Sequence, residues 1–178
     1  DILSLTYGRS EGLNPQIDAW YLLPVTVYDT TLLLRYRKND YAVIDEIFDP
    51  LDTRSESDIY EITLRHPLVR TLHHEFALAL TGESLQDKTF LLGEPFSFYP
   101  GVDNGESKVS ALRFSQEWTY RTQSEVVAAR SRFSFGIDAL DATSHSSHSV
   151  PDGKFLAWLG QFQWARAFKT WDMQLLFR

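Results

Sequence analysis

Ser110-Ala111-Leu112-Arg113-Phe114-Ser115-Gln116-Glu117-Trp118 decides the fold class. Its bulky apolar residues, Leu112, Phe114 and Trp118, alternate with Arg113, Ser115 and Glu117. Successive side chains leave a strand on opposite sides, so a period of two marks a strand whose two faces meet different surroundings. The pattern continues in both directions. Val127, Ala129, Ser131, Phe133 and Phe135 alternate with Ala128, Arg130, Arg132 and Ser134. Leu156, Trp158, Gly160, Phe162 and Trp164 alternate with Ala157, Leu159, Gln161 and Gln163. Upstream, Phe76, Leu78 and Leu80 oppose small residues, Tyr60, Ile62 and Leu64 oppose Glu61, Thr63 and Arg65, and Leu32, Leu34 and Tyr36 oppose Leu33, Arg35 and Arg37.

These runs predict strands over roughly 2–10, 18–27, 31–42, 57–69, 75–91, 107–121, 125–138, 153–168 and 170–178, an all-β chain of nine strands. Pro67 cannot donate to a ladder, so the fourth strand should stop or bulge there. The predicted connections alternate in length. Tyr28 to Thr30, Arg70 to His74, Arg121 to Ser124 and Ala167 to Thr170 are short; Gly12 to Asp18, Ala42 to Glu56, Leu92 to Ser107 and Ala139 to Gly153 are long and hold most of the Gly, Pro, Asp, Asn and Ser. In an up-and-down sheet every tight turn then lies at one end and every long loop at the other. Outer-membrane barrels have this anatomy, and soluble up-and-down barrels can share it.

At 178 residues the chain makes one domain, or a piece of one. Its 43% hydrophobic and 14% aromatic content argues against wholesale disorder. The formal net charge of −7 lacks the basic footprint of a nucleic-acid binder. Without cysteine there are no disulfides, zinc-thiolate sites or thiol nucleophiles. No apolar window approaches the length of a transmembrane helix, which leaves spanning strands open, because these need only about 9–11 alternating residues. Asp1-Ile2-Leu3 opens without a basic signal-peptide segment, as expected of a mature chain, an internal fragment or a cytosolic protein.

Alternation alone admits three architectures. A sandwich points its polar face at bulk water. A lipocalin-like barrel is polar outside and apolar inside. A membrane barrel reverses this, with Arg35, Arg65, Arg113, Arg130, Arg132, Glu61, Glu117, Gln161 and Gln163 lining a wet lumen, and Leu78, Leu80, Leu112, Phe114, Phe133, Trp158, Phe162 and Trp164 facing lipid. Trp20, Tyr21, Trp118, Tyr120, Trp164, Phe168 and Trp171 fall near predicted strand ends, where an interfacial aromatic girdle would put them.

A family resemblance joins these pieces. Ala111 to Trp118, Val127 to Asp138 and Pro151-Asp152-Gly153-Lys154-Phe155-Leu156-Ala157-Trp158-Leu159-Gly160-Gln161-Phe162-Gln163-Trp164 resemble the barrel of two-partner secretion transporters, the haemolysin secretion/activation family, in a cyanobacterial flavour. Tyr7 to Asn14, Leu64 to Thr71 and Thr89 to Leu92 fit the same family, so the resemblance runs along essentially the whole chain in order. It implies a sixteen-stranded barrel in a Gram-negative-type outer membrane that exports one large β-helical exoprotein without ATP. This chain would supply strands 3 to 11. The family's periplasmic transport-associated domains, and the loop with its Val-Arg-Gly-Tyr tip, would lie outside it. An odd count of strands leaves two edges open, which a bilayer core does not tolerate, so the expectation is a fragment of a longer protein. Its partners would be the exoprotein and outer-membrane lipid; no cofactor is implied. A related barrel that assembles or imports proteins is the neighbouring alternative.

Other constellations carry less. His145 and His148 could share a metal, but no third ligand accompanies them and serines flank both. His73-His74-Glu75 lacks the helical His spacing of a zinc protease. Asp45, Glu46, Asp49, Asp52, Glu56 and Asp58 crowd one loop without the spacing of a calcium-binding hand, and read as a solvated acidic loop. Neither a nucleophile elbow nor a phosphate loop occurs, and no catalytic or metal residue is expected.

Overall fold

A computed structural model describes residues 1–9, 15–42, 52–98, 102, 104–139, 153–168 and 173–178. These contain strands and no helix: β1 (Ile2–Gly8), β2 (Gln16–Pro24), β3 (Thr31–Ala42), β4 (Arg54–Arg70), β5 (His74–Leu91), β6 (Glu94–Pro95), β7 (Glu106–Arg121), β8 (Glu125–Ile137), β9 (Leu156–Phe168) and β10 (Met173–Phe177). All belong to one antiparallel sheet in the order β1-β2-β3-β4-β5-β7-β8-β9-β10, with β6 attached to β5. Each long strand therefore pairs with its neighbours in sequence, the up-and-down topology of a partial barrel. Among the described residues the sheet is not closed: β1 and β10 each pair on one side only.

The nine expected strands are present, and the bulge falls where Pro67 requires it. The β4–β5 register runs regularly from Arg54↔Phe90 to Pro67↔Ala77 and then shifts between Pro67 and Val69. Several boundaries differ from expectation. β2 ends at Pro24 rather than near residue 27, because Pro24 closes the ladder and the Val25 amide bonds to the Thr30 carbonyl at 2.8 Å instead. The turn is consequently 25–30, longer than Tyr28 to Thr30, and the Thr26 and Thr30 hydroxyls brace it at 2.7 Å. β4 begins at Arg54, because Arg54 to Glu56 still pair with β3 on one side and β5 on the other. The two-residue β6 was not anticipated. It folds back on β5 through Leu92 and Gly93, both at positive φ, in a tight hairpin turn. The turns at 25–30, 71–73 and 122–124 share one end of the sheet, and the connections 9–15, 43–53, 92–105 and 138–155 leave from the other. Asp45, Glu46, Asp49, His145, His148, Trp171 and Ser10 to Asn14 lie outside the described residues, as does the start expected for the last strand.

The faces are unequal. Buried apolar residues in the described chain are Ala77, Ala79 and Ala111, all on the face that carries the arginines. The large apolar side chains are out: Leu3 is 74% exposed, Trp158 66% and Tyr60 54%. A water-soluble domain hides its apolar stripe; this sheet hides alanine and serine and displays leucine and aromatics.

Candidate functional site

The polar face is built by strand phase. Register puts Arg35, Glu61, Glu83 and Ala111 in one row across β3, β4, β5 and β7, with Thr63, Thr81, Arg113 and Ser134 in the next. A further row holds Arg65, Ala79, Ser115 and Arg132, and then Ala77, Glu117, Arg130 and Gln161. Opposite charges meet across this wall. Arg35 donates through Nε and Nη2 to both oxygens of Asp18, at 2.8 and 2.5 Å. Arg37 lies 3.8 Å from Glu61, which accepts from the Thr63 hydroxyl at 3.1 Å; Thr63 in turn meets Thr81 at 2.7 Å. Arg113 pairs with Glu83 at 2.5 Å.

A longer chain of charges crosses the wall toward the short turns. Arg130 approaches Glu117 at 3.5 Å, Glu117 accepts from Arg65 at 3.1 Å, and Arg65 donates to Glu75 at 2.6 Å. Glu75 is 3.8 Å from Arg70, whose other branch meets Asp29 in the 25–30 turn at 2.8 Å. Arg65 can serve β5 and β7 at once because Ala77 and Ala79 beneath it are too small to block the way. The wall thus offers fixed charges of both signs and hydroxyls, largely paired with one another and about one-third exposed at Arg65 and Glu117.

The opposite face carries an apolar belt with two borders. Leu32, Leu64, Leu80, Phe114, Phe133 and Trp158 form one continuous row from β3 to β9. Leu34, Ile62, Gly82, Leu112, Phe135 and Leu156 form the next. Toward the long loops the belt ends at Tyr36 and Tyr60, whose rings are 5.1 Å apart. Beyond them the strands continue as Lys38, Asp58, Gln86 and Lys108, then Glu56, Lys88 and Glu106. Toward the short turns the border is His74 against Tyr120 at 4.8 Å, with Trp118 beside them. From Leu112 to Tyr120 the belt is about nine residues deep, the length a tilted spanning strand needs.

Every residue expected to line a lumen, Arg35, Arg65, Arg113, Arg130, Arg132, Glu61, Glu117, Gln161 and Gln163, shares the polar face, and every residue expected to face lipid shares the belt. Contacts draw together Arg65, Glu117 and Arg130; Gln161 stands opposite Arg130 on the edge side, and Gln163 lies further along β9. Trp20 departs from the aromatic-girdle expectation: it sits mid-strand in β2, in phase with Asp18 and opposite Arg35, on the polar face. Asp18, Glu75 and Glu83 were overlooked as partners of the arginines. Glu75 and Glu83 share the phase of Ala77 and Ala79, the signal that finds them. The chain matches no protein-family model, no curated protein and no solved structure.

Proposed function

We propose that this chain is part of an outer-membrane β-barrel pore that passes a partner exoprotein across the membrane without ATP, as its resemblance to two-partner secretion transporters implies. The observation that carries the reading is the exposed apolar belt, about one bilayer-spanning strand deep, bordered by aromatic rings and backed by an ion-paired polar wall. Lipid would cover Leu80, Leu112 and Trp158; water would fill the side of Arg35, Arg65, Arg113 and Arg132. The short turns would be periplasmic and the long connections extracellular. Seven further strands would close the edges of β1 and β10 into the sixteen-stranded ring, since unpaired amides do not persist in hydrocarbon.

The wall suits an unfolded passenger. An extended polypeptide entering a pore must exchange water for something that satisfies its amides and carbonyls. Water held between paired arginines and carboxylates does this for any sequence. Pairing also limits the charge presented at each point, so no single position holds the passenger strongly. Each exposed pair contributes only about 0.2–1 kcal/mol, which suits passage over capture.

A soluble lipocalin-like barrel would bury the apolar stripe, and the exposure of Leu3, Tyr60 and Trp158 speaks against it. The deciding experiment is secretion. The complete parent protein and the β-helical exoprotein encoded beside it are expressed in a Gram-negative host, and exoprotein is measured in the medium. Secretion that depends on the parent supports the reading. Exoprotein retained in the periplasm beside a correctly inserted barrel, or a neighbouring gene of another kind, turns it toward an assembly or import barrel.

A further inference from the structure

Most charges of the polar wall are paired, and Asp87 is an exception. It lies on β5 in the phase of Glu83, toward the end from which the long connections leave. Register sets it between Ser57 on β4 and Ser107 on β7, with Asn39 beside Ser57 on β3. One row inward the wall is apolar at Ile59, Leu85 and Val109. Arg37 ends that row on β3, where it lies against Glu61. Lys88 and Lys108 have the opposite phase. Among the described residues the Asp87 carboxylate accordingly has no ion pair and no hydrogen bond. It is part-exposed, and neither of its oxygens is sealed from solvent.

Asp87 opens into a hollow of about 470 Å³, which Ser55, Ser57 and Ser107 line with hydroxyls and Tyr41 and Phe98 with exposed rings. The chain returning from β6 is fixed over this end of the wall. The Phe96 amide donates to the Thr89 carbonyl at 3.0 Å, the Thr89 hydroxyl donates to the Phe96 carbonyl at 2.6 Å, and the Gly105 amide donates to the Ser97 hydroxyl at 2.9 Å. The Phe96 ring meets Phe98 edge-on at 4.9 Å. The hollow is thus formed before any ligand arrives, which spares a ligand the cost of ordering it. A single unmatched carboxylate calls for a single positive charge. One carboxylate is too few for a divalent metal, and no metal-ligating cluster occurs among the described residues. A neutral ligand would leave the charge unmatched. A lysine or arginine side chain meets every part of the site: its charged head suits Asp87 and the serine oxygens, and its apolar stem suits the rings.

We propose that this hollow takes a lysine or arginine side chain of the exoprotein as the unfolded chain leaves the pore, with Asp87 as its counter-ion. The site rests on the export reading given above, which puts the long-connection end outside the cell, and adds to it the class of passenger residue recognised there. The contacts are to a side chain alone, so each basic residue of the passenger can occupy the hollow in turn. One part-exposed carboxylate holds such a residue weakly enough to release it.

The test uses the complete parent protein in lipid nanodiscs and a fluorescein-tagged glycine–serine peptide that carries lysine, beside the same peptide with norleucine, which keeps the stem and loses the charge. Binding is read by fluorescence anisotropy for the wild type and for Asp87→Asn, Asp87→Glu and Phe98→Ala. Heat-modifiable gel mobility checks that each remains folded. The expected result is lysine-dependent binding to the wild type, about tenfold weaker in Asp87→Asn, the effect of one lost charged hydrogen bond, and largely kept in Asp87→Glu. Phe98→Ala should weaken it about threefold through the lost ring contact. Equal binding of the lysine peptide to the wild type and Asp87→Asn, or of the lysine and norleucine peptides to the wild type, overturns the assignment. So does a folded wild type that binds neither peptide, whether its hollow is empty or filled by the parent's own chain. In each of these cases exoprotein secreted into the medium leaves the export reading standing. A parent that is monomeric and folded in buffer without detergent overturns both.

Discussion

Arg65 on β4 reaches over an intervening strand to Glu117 on β7, Nε to Oε2 at 3.1 Å, while its other branch holds Glu75 on β5 at 2.6 Å. The reach is possible because β5 places Ala77, which is fully buried, and Ala79 beneath the guanidinium. Two alanines and one long cation thereby tie three strands together on the polar face.

That dependence on small residues gives the first prediction. Ala77→Leu thrusts an isobutyl group into the space under Arg65 and separates it from Glu117. Overpacking of this kind costs about 1–3 kcal/mol. Urea unfolding of the parent protein in detergent should show the loss, and Ala77→Ser should show little of it.

The Arg65–Glu117 pair should behave as a wetted pair. Arg65→Glu and Glu117→Arg should each destabilise, and combining them should recover about 0.2–1 kcal/mol of coupling in a double-mutant cycle. A coupling of several kcal/mol would mean that the wall is dry.

Charge on the belt should act quite differently. Leu80 is 46% exposed in the middle row, opposite Phe114. Leu80→Arg is expected to cost about 2–4 kcal/mol in a bilayer. The same change on an exposed face in water would cost almost nothing, so folding free energies in vesicles separate the two environments.

Gly105 tests the long-connection end of the sheet. Its φ is 68°, and a Cβ would collide with the Thr89 carbonyl oxygen. Gly105→Ala should cost about 1–3 kcal/mol by forcing the backbone off this conformation. The damage should show as faster amide exchange at Thr89, whose N–H is bonded to the Gly105 carbonyl at 2.9 Å.

Much of this was legible in the sequence because the period of two persists through β3, β7, β8 and β9, and through β4 as far as Pro67, so phase assigned each arginine and each leucine there to a side. Pro67 announced an interruption, since a missing N–H must either end the ladder or bulge it, and here it bulges. Phase is a property of one strand, however, and the reach of Arg65 over β5 depends on the register of three. No single strand carries that information. Trp20 misled because residue type suggested an interface, whereas its even position in β2 committed it to the side of Asp18. β6 was invisible because two residues carry no period. Pro24 ended β2 early for the reason that Pro67 bulged β4, and that reading was open from the sequence.

The central claim is that the leucine face meets lipid and the arginine face meets water. These 178 residues contain no cysteine, so once any cysteine elsewhere in the parent protein is replaced by serine, single cysteines placed here are unambiguous reporters. Cysteines are placed one at a time at Leu80, Leu112 and Phe133, and at Thr81, Arg113 and Ser134, in the parent protein reconstituted in vesicles. Each is tested with a membrane-impermeant maleimide and, after fluorescent labelling, with spin-labelled lipid as quencher. The account requires that the first three resist the maleimide and are quenched by the lipid, and that the second three react and are not quenched. The reverse pattern, or no lipid quenching at any of the six, would contradict it.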